Sequence, residues 1–269
     1  MRANDVRKPD EILRHGAYVC LRVPPEARAA TAAAAVPAMV ERLELAGEFE
    51  AQGVPPPNAI AFIRRVGAEP GSIADEGLLK ADAVVHVASA TAAPVAAFCE
   101  ELPRLLGPGV KTQVLGGVVK PMVYTGNAMH NFAYAHRVLP QPGPVMPNAF
   151  LLPMSKTAAW WAKDWMERHT YFLPRYDDQG RMLNEGHALA SEAGVACLLR
   201  RTYKHPVEPA PAGSYDFVTY FECADADVPT FHAVCAALRD VKRNPEWAFV
   251  REGPTWHGRR VATWRELCA

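Results

Sequence analysis

The residues able to do chemistry gather in the second half of the chain, where most of the tryptophans and histidines follow residue 155. His187 lies in the helical stretch 181–193. Thirteen residues later comes the pair Arg200 and Arg201, and Tyr203 closes the same apolar run. A neutral imidazole can hold a metal ion or move a proton, and a guanidinium offers a planar fork of donors to a small oxyanion. Each has an ordinary reading too: a lone histidine on a short helix is most often a surface residue, and an arginine pair can be the charged end of an edge strand. The pair Arg64 and Arg65 shows that the motif recurs in the first half. If Arg200 faces a cavity, the period of two puts Leu198 and Thr202 on the same face, and Thr219 and Phe221 share a face of the next strand.

The elements that must position these residues form two similar series. In the first half, 17–23 reads as a strand, 28–49 as an Ala-rich helix, 59–66 and 82–88 as strands, 92–106 as a helix and 111–119 as a closing strand. The second half repeats this with a strand at 149–153, helical stretches over 156–193, strands at 195–203 and 216–222, a helix at 228–241 and a strand at 247–251. AIAFIRRV at 59–66 is similar to ACLLRRTY at 196–203, and ADAVVHVASATAAPVAAFCEEL at 81–102 to YDFVTYFECADADVPTFHAVCAAL at 215–238. The order β-α-β-β-α-β is ferredoxin-like. The reading is an α+β chain of two such halves, 1–125 and 148–269, burying their sheet faces together. The Pro- and Gly-rich stretch 126–147 is the connector. The first half is expected to be scaffold and oligomer surface, the second to carry the site.

Composition narrows the function classes. Lysine plus arginine and aspartate plus glutamate each number 29, and no basic face alternates with aromatics, so nucleic acid is not an expected partner. No run reaches the length of a membrane helix. MRANDVRKPDEILRHG lacks an apolar core and a small-residue cleavage site, which predicts a cytoplasmic chain unless a leader has been removed. The six cysteines, with no CxxC pair, read as buried thiols in a reducing compartment.

From Met154 onward the chain resembles the chlorite dismutase superfamily. The segments that carry the resemblance are PMSKTAAWW at 153–161, GHALASEAGVACLLRRTYKHP, and YDFVTYFECADADVPTFHAVCAALRDVK. VVKPMVY at 118–124 adds a weaker match. The resemblance implies a dimeric α+β barrel that binds haem b, with His187 as iron ligand and Arg200 over the open face. It implies Thr219 and Phe221 as wall residues, with Thr202 where chlorite dismutases usually carry leucine. It also implies Trp160, Tyr124 and Lys120 as donors to the haem propionates, Trp161 being for packing. The implied activity converts chlorite, a small anionic substrate, to chloride and dioxygen, with Arg200 retaining hypochlorite until the oxygen atoms join. An arginine at 200 resembles the chlorite-degrading branch, whereas the coproporphyrin-decarboxylating branch has a glutamine there. Long relatives often form rings of five, which makes a homopentamer the leading expectation.

Three departures from the family pattern widen the reading. Between Trp161 and His187 stand about a dozen extra residues, including HTYFLPRYDDQG at 169–180, which could form a lid. Arg243 aligns with the glutamate that orients the iron-bound imidazole, leaving Glu246 as a substitute. Glu252 stands where long chlorite-degrading relatives have tryptophan. These departures keep open a haem enzyme acting on a peroxide or an organic N–O substrate, as the aldoxime dehydratases do, and a haem-binding protein without catalysis.

Overall fold

A computed structural model describes residues 15–46, 60–89, 91–119 and 146–269. The first half contains β1 (His15–Arg22), α1 (Arg28–Ala33), α2 (Val36–Ala46), β2 (Ile60–Glu69), α3 (Glu76–Leu79), β3 (Ala83–Ser89), α4 (Ala92–Leu106) and β4 (Lys111–Val118). The second half opens with β5 (Asn148–Lys156), α5 (Ala158–Trp161), α6 (Trp165–Thr170), β6 (Arg175–Tyr176), β7 (Met182–Asn184) and α7 (Gly186–Ala190). It continues with β8 (Leu199–Lys204), β9 (Phe217–Cys223), α8 (Val228–Arg239), β10 (Val250–Glu252), β11 (Thr255–Val261) and α9 (Trp264–Cys268).

The strands of the first half lie in the order β2-β3-β1-β4 and those of the second in the order β11-β5-β9-β8. Each is the antiparallel ferredoxin-like arrangement expected from the repeat. β2 pairs with β11 and β4 with β8, so the halves close on each other as a barrel of eight strands, with short β10 added beside β5. Closure explains why β1 and β3 are apolar almost throughout. One face of each looks into the barrel and the other lies under helices, so alternation with polar residues disappears.

Three cores result. Leu151, Val218, Tyr18, Tyr203, Tyr220 and Trp256 fill the barrel. Val19, Val85, Phe98 and Leu102 pack the first half's strands against its helices. Phe150, Leu152, Leu198, Phe231 and Val234 do the same for the second half. All six cysteines are free thiols. No helix among the described residues is long and apolar enough to cross a membrane.

The structure corrects several expected elements. The single helix over 28–49 is two helices, because Ala34 is extended (ψ 146°) just ahead of Pro37, whose ring would clash with the carbonyl four residues back. The helical stretch 156–193 is interrupted by the β6–β7 hairpin. The expected strand at 247–251 begins as a 3-10 turn, Pro245–Phe249, and becomes strand only at Val250. β11 and α9 were not expected from the pattern at all. The connector lies largely outside the described residues.

α9 ties the chain's end to the first half. Trp264 is 2% exposed, its indole N–H donates to the Thr31 carbonyl at 2.8 Å, and its ring meets Phe62 edge-on at 5.9 Å. Trp264→Ala should therefore lower unfolding stability by about 3–5 kcal/mol in a urea titration. A loss within about 0.5 kcal/mol, typical of surface positions, would show that α9 is not part of the cooperative core.

Candidate functional site

The site is built on the outer face of the second half's strands. There β5 and β9, with Leu198 just ahead of β8, present Phe150, Leu152, Phe221 and their neighbours to α7 and α8. α7 is short, and its first turn is held from two sides. The Arg243 carbonyl accepts the N–H groups of Glu185 and Gly186, while the carbonyls of Tyr171 and Phe172 accept those of His187 and Ala188. Gly186 makes this possible. Its φ is +63° and a Cβ would stand 2.4 Å from the Leu173 carbonyl oxygen, so only glycine fits both the angle and the contact.

His187 is thereby fixed with its side chain 17% exposed. Its Nδ1 lies 2.9 Å from Glu246 Oε2, and the Phe172 ring leans on the imidazole with centroids 5.1 Å apart. Glu246 is buried on the 3-10 turn, and its other oxygen pairs with the Lys156 ammonium, itself buried at the end of β5. Burial would raise the Glu246 carboxyl, but Lys156 and His187 outweigh it and hold it down at about 2. The carboxylate is therefore ionised and acts as acceptor, which places the imidazole proton on Nδ1 and leaves the Nε2 lone pair as the end able to ligate a metal. The Lys156 ammonium lies 4.3 Å from the Trp160 ring centroid, a cation–π contact.

Arg243 is not the partner of His187. Its guanidinium forms a two-pronged pair with Glu185, at 2.9 and 2.8 Å. Glu246, the substitute for the acid missing at 243, meets the imidazole, and Arg243 closes the helix start. Lys156 completes the charge set, and nothing in MSKTAAWW marks a lysine that turns inward.

On the strands, cross-strand register pairs Arg200 with Phe221 and Thr202 with Thr219. The expected alternation therefore puts all four on one face, the face that carries α7. The Thr202 and Thr219 hydroxyls are 3.4 Å apart. Lys120 and Tyr124 lie outside the described residues. Trp160 is 1% exposed, packed by Tyr171 and Phe249. Trp161 donates its indole N–H to buried Asp216 at 3.3 Å, so its place is structural.

The extra residues after Trp161 form α6 and the β6–β7 hairpin. The Asp177 carboxylate fastens the hairpin turn by accepting from the backbone N–H groups of Gln179 and Arg181, both at 2.9 Å. This segment supplies the Tyr171–Leu173 backbone that seats α7, so it works as a buttress to the His187 helix. Glu252 pairs with Arg239 through both oxygens, at 3.1 and 3.0 Å, joining β10 to α8.

The donor set can be tested against possible cofactors. Among the described residues no three His, Cys, Asp or Glu side chains come together as a metal cluster. One imidazole backed by a carboxylate fits a metal whose other ligands belong to a prosthetic group, as in haem.

No model of a protein family matches the sequence, and no curated protein matches it. Solved structures do match. The chlorite dismutase of Candidatus Nitrospira defluvii in complex with imidazole aligns with a TM-score of 0.65 at 21% identity, over 96% of this chain and 94% of that one. A variant of it in complex with cyanide gives 0.65 at 20%, over the same shares. A dimeric chlorite dismutase from Nitrobacter winogradskyi gives 0.52 at 20%, over 75% of this chain and 99% of that one.

The Lys156–Glu246–His187 chain makes a testable stability claim. Glu246 is held below its ordinary value in the folded state. Its contribution is present above the unfolded carboxylate pKa near 4.5 and is lost as pH falls toward 2. Glu246→Ala should cost about 3–5 kcal/mol at pH 7 by stranding Lys156, and the variant should lack this acid-sensitive component in chemical unfolding. Parallel pH profiles for variant and wild type would contradict the assignment.

Proposed function

We propose that this chain, which has the chlorite dismutase fold, binds haem b through His187 and converts chlorite to chloride and dioxygen. The observation that carries the reading is the His187–Glu246 contact at 2.9 Å, on the same side of the sheet as Arg200. When bound, haem iron supplies the breaking of chlorine–oxygen bonds and the joining of oxygen atoms, which no side chain here can perform.

The residues do the rest. His187 holds the group by Nε2, and ionised Glu246 fixes its ring and raises its donor strength. Lys156 keeps Glu246 charged without competing for the imidazole. Arg200 attracts the chlorite anion and retains hypochlorite by charge and a forked donor pattern. Thr202, Thr219 and Phe221 wall the space around it. Trp160, Tyr124 and Lys120 are assigned to the propionates. The partner set is a small anionic substrate and further copies of the chain, for which a homopentamer is the expected assembly.

A second reading keeps haem and exchanges the substrate for a peroxide or an organic N–O compound. Thr202 favours it, since its hydroxyl, 3.4 Å from that of Thr219, stands where chlorite dismutases usually carry leucine. A haem-binding protein without catalysis is the third.

Three measurements decide. His187→Ala should lose stable haem retention, and an unchanged Soret band in that variant would move the ligand elsewhere. Arg200→Gln should retain haem yet bind cyanide roughly ten- to a hundredfold more weakly, since a charge-assisted contact is worth about 1.5–3 kcal/mol. Wild-type protein should evolve oxygen from chlorite at an oxygen electrode. Haem-loaded protein that evolves none, but turns over peroxide or an aldoxime, would replace the first reading with the second.

A further inference from the structure

The barrel interior directly behind the site's strands holds a stack of buried rings that the proposed function does not use. Alternation along β8 and β9 turns Tyr203 and Tyr220 inward, while their chain neighbours Thr202, Thr219 and Phe221 face the site. Tyr18, from β1, lies between the two. Its ring centroid is 5.5 Å from that of Tyr203, 5.3 Å from that of Tyr220 and 4.6 Å from that of His86. All three tyrosines are at most 1% exposed.

The outer two tyrosines each have a proton acceptor. The Tyr203 hydroxyl is 2.9 Å from His86 Nε2, and the Tyr220 hydroxyl donates to Glu222 Oε1 at 2.6 Å. Burial, with Arg201 and Arg260 nearby, keeps the His86 imidazole neutral, so it can accept. Arg260 holds Glu222 through both its oxygens, at 3.0 and 2.9 Å. The middle hydroxyl, Tyr18 Oη, is buried with no partner in the described structure. Burial of an unpartnered hydroxyl costs free energy, and core packing alone would be served as well by phenylalanine.

We propose that Tyr203, Tyr18 and Tyr220 form a second redox site, which donates single electrons through the sheet to an over-oxidised centre on its outer face. The proposal rests on the haem reading of that face. The oxidant is a peroxide, or an oxychlorine anion, that leaves the centre short of electrons. In the step, Tyr203 or Tyr220 loses one electron and the centre gains it. The phenolic O–H bond breaks, and its proton passes to His86 Nε2 or to Glu222. A neutral phenoxyl radical remains, beside an imidazolium in the first case and a carboxylic acid in the second. Tyr18, with no acceptor, keeps its proton and couples the outer rings. Each donor ring is one residue along the backbone from a wall residue, so the path is a single sheet thick, about 10 Å at most by the spacing of packed layers.

Electron paramagnetic resonance on two preparations tests this. Haem-loaded protein is freeze-quenched after mixing with hydrogen peroxide, and haem-free protein is oxidised by photogenerated ruthenium(III) tris-bipyridine. Both should give a long-lived radical signal that narrows when the protein is grown with ring-deuterated tyrosine, a readout needing no substitution. The double variant Tyr203→Phe/Tyr220→Phe, which keeps both rings, should lose at least about nine-tenths of it in each preparation. An undiminished signal in the double variant, or no narrowing on deuteration, would overturn the proposal. The haem reading is separable: a radical on these tyrosines in protein that takes up no haem upholds the redox site and removes that reading. Haem uptake with the radical elsewhere does the reverse.

Discussion

A buried carboxylate between an ammonium and an imidazole organises the second half of this protein. Taking Glu246 and Lys156 out of water carries a penalty of several kcal/mol per ion, which their mutual attraction offsets only when the geometry is good and the remaining hydrogen-bonding capacity is met. The second oxygen of Glu246 meets that condition by accepting from His187. The three residues come from the end of β5, a 3-10 turn and α7, so the chain of contacts fixes three otherwise separate segments. Nearby backbone contacts serve the same end: the Thr157 N–H donates to Phe249, and Arg243 caps α7 with its carbonyl while its side chain holds Glu185. An imidazole anchored this way presents one defined tautomer and one defined ring orientation.

The barrel gives the strands two working faces. Outward, β8 and β9 carry a cation, two hydroxyls and an aromatic ring under the α7 and α8 layer. Inward, the same strands carry tyrosines, Arg201 and Glu222 into an interior that is polar at one end. The first half has the same topology without the same chemistry. Where Arg200 stands opposite Phe221, the first half has Ile60 opposite Val87, and Arg64 is exposed and sits opposite Arg259 in the β2–β11 ladder. The asymmetry therefore arises from residues laid on a repeated frame.

Much of the frame was legible in the sequence because it follows from period. α4 begins and ends where the pattern placed it, and β1, β3, β4 and β9 lie within a residue or two. The outer face of β8 and β9 followed from alternation and the register agrees. What escaped depends on tertiary structure. TWHGRRV gives no strand signal because its inward residues, Trp256, Gly258 and Arg260, suit a polar barrel interior. The β6–β7 hairpin is fixed by Asp177 side-chain contacts, which outweigh a sequence that reads as helix. Lys156 and Phe172 join the site only because β5 and the extra segment fold back upon α7. That Glu246 takes the place of the acid missing at 243 could not be read from alignment, since the three-residue difference lies within a turn whose shape the sequence does not display.

The central claim is that Glu246 polarises a His187 imidazole that ligates iron, and resonance Raman spectroscopy of the ferrous haem-loaded protein reads that bond directly. An iron–histidine stretching band should be present in the wild type, absent in His187→Gly, and moved to lower frequency in Glu246→Gln, because an amide withdraws less of the Nδ1 proton than a carboxylate does. A band that is unchanged in Glu246→Gln, or one that persists without His187, would contradict the account.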